Sequence, residues 1–127
     1  MRLFKTKPFA RFADHEGIED ADLCDAVRRA KQGLTDADLG GGVIKQRTAR
    51  KGQGRSGGFR SIILFRRGEK AFFVYGFAKS DRDNIRQHEL KAFRKLAEVM
   101  LGYDDKALQA AIKNETITEI VYHGQAV

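Results

Sequence analysis

Two uninterrupted apolar runs, Ile62-Ile63-Leu64-Phe65 and Ala71-Phe72-Phe73-Val74-Tyr75, constrain this chain more than any other feature. Each is of strand length and lacks the polar alternation of a sheet wetted on one side. Arg67-Gly68-Glu69 supplies a turn between them. The pair reads as a hairpin, Phe59 to Arg66 and Lys70 to Lys79, with strands that must be covered on both faces. Helices are the natural covers.

Those covers are available on either side. Met1 to Thr6 reads as a short strand, and Pro8 to Asp14 as a brief helical piece with Phe9 and Phe12 on one face. Asp20 is placed to cap a helix with the stripe Leu23, Val27, Ala30 and Leu34. Thr35 to Leu39 reads as one more helical turn, Gly40-Gly41-Gly42 closes this half, and Val43 to Ala49 reads as a strand. Downstream, Ser80 and Asp83 have capping-box spacing ahead of a stripe Ile85, Leu90, Phe93, Ala97, Met100 and Leu101. Asp104 to Lys113 gives a shorter helix, and Thr116 to Tyr122 a last strand. The fold class is α+β, a small antiparallel-rich sheet packed against helices. With 127 residues and neither repeat nor linker, residues 1–127 read as one domain.

Positive charge is concentrated on this framework. Between Lys45 and Arg82 lie eleven Lys and Arg residues, opposed within the block by Glu69 and Asp81 alone. That local excess is larger than the chain's net charge of +7, so the remainder is slightly acidic. A cationic block running through strand sequence points to a polyanion, with nucleic acid first. Hairpin pairing brings Arg60 near the end carrying Lys79 and Arg82, and alternation puts Lys45 and Arg47 on one face. Arg66 and Arg67, beside the turn, read as solvated.

The loop from Arg50 to Gly58 contains Gly52-Gln53-Gly54-Arg55-Ser56-Gly57, a literal GxGxxG. A dinucleotide fingerprint needs a helix after the glycines, and here a strand follows. The reading retained is a basic loop whose bare backbone lets Lys51 and Arg55 approach a phosphodiester. His15, His88 and His123 show no zinc-ligand spacing, and no cofactor is implied. Cys24, the one cysteine, falls beside Val27 on a helix stripe and reads as a core thiol. The N-terminus has no apolar signal-peptide run and no stretch reaches membrane-spanning length, so the expectation is a cytoplasmic protein with no membrane partner.

The segments Val43-Ile-Lys-Gln-Arg, Lys51-Gly-Gln-Gly-Arg-Ser-Gly-Gly-Phe-Arg, Ile-Ile-Leu-Phe-Arg and Phe-Val-Tyr-Gly-Phe-Ala-Lys-Ser-Asp-Arg-Asp-Asn-Ile85 together resemble RelE-like toxins of type II toxin–antitoxin systems. The match is to the branch carrying "KGxGxSGGxR" and "FAKSxRDNI". It is strong over residues 43 to 85 and looser in the flanking helices. The resemblance implies a microbial-ribonuclease-like fold, mRNA bound on the ribosome and cleaved endonucleolytically, and a cognate antitoxin. By residue it implies a cationic catalytic set of Lys51, Arg55, Arg60, Lys79 and Arg82; Lys45, Arg47 and Arg50, basic residues leading into the loop, read as RNA-binding. Many relatives place a tyrosine or histidine just after the last basic pair. Asn84-Ile85-Arg86-Gln87 offers neither, although His88 is close.

Chemistry consistent with these residues is transesterification without a metal. RNA supplies its own nucleophile, the 2′-hydroxyl. Arginines stay protonated and can hold the charge that builds on phosphorus oxygens. A lysine among like charges can give up its proton, making Lys51 or Lys79 the candidate base. Two alternatives stand beside this reading: a non-catalytic RNA-binding protein, and a ParE-like toxin directed at a protein target.

Overall fold

The computed structural model describes residues 1–50, 54–122 and 127, with the side chains of residues 49, 50 and 54–57 outside that description. A six-stranded sheet is flanked by helices on both faces. In chain order the elements are β1 (Arg2–Thr6), α1 (Lys7–Glu16), α2 (Asp20–Lys31), β2 (Ala37–Gly40), β3 (Val43–Arg50), β4 (Gly54–Arg66), β5 (Lys70–Ala78), α3 (Gln87–Met100), α4 (Asp105–Lys113) and β6 (Ile117–Glu119). The sheet order is β2-β3-β4-β5-β1-β6. Its pairings are antiparallel except β1 with β5, which is parallel. The fold is α+β, as the apolar runs require.

Two cores result. Against α1 and α2, Phe9, Ala13, Leu23, Cys24 and Val27 pack on Leu3, Ile44, Phe59, Ile63 and Phe73. Against α3 and α4, Ala97, Met100, Leu101 and Leu108 pack on Phe4, Val43, Ile62, Leu64 and Phe72. Burial pushes the Cys24 thiol up from its ordinary pKa, as suits a core sulfur.

One irregularity decides what faces the second core. Ile62 pairs with Tyr75 but Ile63 pairs with Phe73, leaving Val74 as a bulge in β5. Plain alternation from Phe73 would turn Tyr75 and Phe77 toward α1. The extra residue instead sends Tyr75 and Phe77 to the α3 side, which Val74 already faces. Gly76 faces α1, where a Cβ would lie 2.3 Å from the Phe12 ring.

Four sequence expectations are corrected. Thr35 to Leu39 is not a helical turn; it leads into the edge strand β2, because the buried Gln46 amide grips this segment in extended form. Gln46 Nε2 donates to Leu34 O at 2.9 Å and to Ala26 O at 3.0 Å, and its Oε1 accepts from Asp36 N at 3.2 Å. The basic loop is shorter than Arg50 to Gly58, since β3 and β4 extend through Arg50 and from Gly54. Helix α3 begins at Gln87, not Ser80: Glu89 accepts the Arg86 backbone N–H at 2.7 Å and caps the later start. Residues 79–86 are left as an irregular crossing. Arg66 and Arg67 are more than solvated, since Arg66 Nη1 bonds Leu101 O at 2.8 Å and Arg67 Nη2 bonds Ala30 O at 3.5 Å, both near helix C-termini.

Candidate functional site

Beyond the N-terminus of α3 the sheet continues, and the crossing 79–86 borders the face left open there. Register places Arg47 of β3 opposite Arg60 of β4, and Arg60 opposite Phe77 of β5. One step along, Lys45, Ile62 and Tyr75 form the neighbouring row. Lys45, Arg47 and Arg60 therefore project from one face, on adjacent strands about 4.8 Å apart.

They converge on a carboxylate from outside the basic block. Asp36 Oδ1 accepts from Arg47 Nε at 3.0 Å; Asp36 Oδ2 lies 3.4 Å from Arg60 Nε and 3.6 Å from Lys45 Nζ. The cluster is largely shielded, with the side chains of Arg60, Asp36 and Lys45 exposed by 7%, 12% and 14%. Arg47, at 48%, reaches furthest into solvent. Arg60 Nη1 is buried and has no hydrogen-bond partner among the described residues. A cavity of about 380 Å³, lined by Arg29, Leu34, Thr35, Asp36, Gln46 and Arg47, adjoins the cluster.

The opposite rim is built on Arg82. Its guanidinium forms a two-point pair with Glu89, Nη2 to Oε1 at 2.6 Å and Nη1 to Oε2 at 3.2 Å. Nη1 also donates to Tyr75 Oη at 2.9 Å, and Nε to Asn84 O at 2.9 Å. The cation lies 5.7 Å from the Tyr75 ring centroid and 5.6 Å from that of Phe77. The hydrogen bond from Arg82 holds the Glu89 carboxyl down at about 2, and Glu89 in turn raises Arg82 above its ordinary range. Lys45 Nζ reaches Asn84 Oδ1 at 3.5 Å, joining the two rims.

The sequence-derived set is thus distributed unevenly. Lys45, Arg47 and Arg60 meet at Asp36; Arg82 stands across the face from them; Lys79, just past β5, is exposed. Lys51 lies outside the described residues, as do the side chains of Arg50 and Arg55, whose backbones end β3 and open β4. Phe77 is buried at 4% and Tyr75 half-buried, so neither ring is an open stacking platform. Charge counting along the chain missed Asp36 and Glu89, which come from outside the cationic block. Tyr75 carried one signal, a hydroxyl within an otherwise apolar strand.

A preformed anion site is what this arrangement offers. Three cations already surround a carboxylate, and a phosphodiester carries a similar charge on similar oxygens. Among the described residues, no group of three or more His, Cys, Asp or Glu is placed to hold a metal. No helix among them is long and apolar enough to cross a membrane. A family model described as the RelE toxin of the RelE / RelB toxin–antitoxin system matches residues 1–120. Comparison with curated proteins returned no match.

Proposed function

This chain belongs to the RelE toxin family, and we propose that it is an mRNA interferase, cutting mRNA endonucleolytically on the ribosome. Membership carries with it a RelB-type antitoxin as partner. The observation that carries the cleavage reading is the convergence of Lys45, Arg47 and Arg60 on one anion, Asp36, with Arg82 on the facing rim.

In this reading the scissile phosphate lies over the face between those rims. Arg47 and Arg82 contact its oxygens, and Arg60, fixed by Asp36, supports the developing negative charge from below. Each such contact can be worth about 3 kcal/mol in the transition state. The 2′-hydroxyl attacks phosphorus after losing its proton to a lysine amine, Lys51 or Lys79. The products are a 2′,3′-cyclic phosphate and a 5′-hydroxyl.

The test is cleavage of a defined mRNA in a reconstituted translation system, with and without ribosomes, followed by end-group analysis. Ribosome-dependent cuts bearing cyclic phosphate ends are expected. Cuts with 3′-hydroxyl and 5′-phosphate ends would refute transesterification. No cuts at all, with RNA still bound, would leave a non-catalytic binding protein.

A further inference from the structure

We propose that Tyr75 is the general acid of this site, donating its phenolic proton to the 5′-oxygen that leaves. The proposal rests on the endonuclease reading above and names a group that reading lacks.

The hydrogen-bond direction carries the argument. Arg82 Nη1 is a donor only, so Tyr75 Oη accepts this bond, at 2.9 Å. The phenol's own proton is left over, and among the described residues no acceptor takes it. Tyr75 is half-buried, so a proton not spent inside the fold is open to a ligand lying on this face. Here the oxygen is held and the proton is unclaimed.

The surroundings fit proton donation. Once the proton leaves, negative charge appears on an oxygen already bonded to a guanidinium. That guanidinium is itself fixed by two bonds to Glu89 and one to Asn84 O. The phenol ring is held between Phe77 and Phe93, at centroid distances of 6.0 and 5.9 Å. The bulge at Val74 is what turns Tyr75 to the face that bears Lys45 and Arg60. Tyr75 is one strand from Ile62 and two from Lys45 in the same row. Among the described residues no histidine shares this position; His88 is exposed on α3.

The step balances. The O2′–P bond forms as the P–O5′ bond breaks. The 2′-hydroxyl proton passes to the lysine amine, and the Tyr75 proton passes to the departing 5′-oxygen. Before the next turnover the phenolate, paired with Arg82, regains a proton from solvent and the lysine ammonium releases one to it.

The experiment compares wild type and Tyr75→Phe on two ribosome-bound mRNAs. One is natural; the other carries a single 5′-bridging sulfur at the cut position, where the thiolate leaves without a proton. Tyr75→Phe keeps the ring packing, and a thermal melt checks that the variant is folded. The expected result is a loss of about 100-fold on the natural linkage and a rate within about threefold of wild type on the sulfur linkage. Equal losses on both substrates, or no loss on either, would overturn the assignment. If wild type cuts neither substrate, the endonuclease reading fails and this assignment goes with it.

Discussion

Arg60 and Asp36 form an ion pair at 3.4 Å in which both side chains are almost wholly shielded from water. Such pairs cost free energy to desolvate, and breaking one leaves an uncompensated buried charge. Asp36 serves Lys45 and Arg47 as well, so this one carboxylate sets the geometry of the cationic face.

Asp36→Ala should therefore destabilise the fold by about 3 kcal/mol. Adding Arg60→Met should recover part of that loss, because it removes the most deeply buried of the three cations while Lys45 still lacks its counter-ion. Urea denaturation of the single and double variants measures both. A single-variant loss under about 1 kcal/mol would show that the cluster relaxes freely.

Gln46 anchors the segment that carries Asp36, using both ends of its amide. Gln46→Leu preserves size but strands buried carbonyl and N–H groups, at a cost of about 3 kcal/mol. It should also disorder β2. Faster amide hydrogen exchange at Ala37 to Gly40 than in wild type is the expected signature.

Gly76→Ala should cost about 2 kcal/mol, because its Cβ would meet the Phe12 ring at 2.3 Å. Phe12→Leu in the same chain should return part of that stability. If the two substitutions simply add in denaturation measurements, the close approach of Phe12 to β5 is wrong.

Acid should act on the Arg82–Glu89 pair in a defined window. The Glu89 carboxyl is lowered from 4.5 to about 2 by its bond from Arg82. A depressed carboxyl stabilises the fold above its unfolded value and loses that contribution as pH falls from about 4.5 to about 2. Arg82 stays charged throughout. NMR titration should place the Glu89 midpoint near 2 in wild type and about two units higher in Arg82→Ala. An unchanged midpoint in the variant would assign the shift elsewhere.

RNA binding should depend on salt. With about four phosphate contacts to a single strand, log affinity should fall against log salt with a slope of about −3. Arg47→Ala should make that slope shallower by about one contact. A flat dependence would point to a protein target instead.

How much of this was legible in the sequence follows from where each determinant sits. The apolar runs at Ile62 and Ala71 reported central strands because burial on both faces leaves a continuous signal. The bulge at Val74 left none, since adding one residue to an all-apolar run changes no pattern. Ser80-Asp83 mimics the cap that Arg86 and Glu89 form, and only the tertiary pull of Arg82 on Glu89 distinguishes them. The cationic face was visible as a charge block. Its counter-ions were not, because Asp36 and Glu89 reach it from β2's approach and from α3.

The most direct measurement of the central claim is mRNA cleavage in a reconstituted translation system by wild type against Arg47→Ala plus Arg82→Ala. These exchanges remove one cation from each rim and leave the buried Arg60–Asp36 pair intact. Cuts by wild type should fall at least about 100-fold in the variant, with a thermal melt showing that the variant is still folded despite losing the Arg82–Glu89 pair. Undiminished cleavage by a folded variant would contradict the claim and place the active surface elsewhere on the molecule.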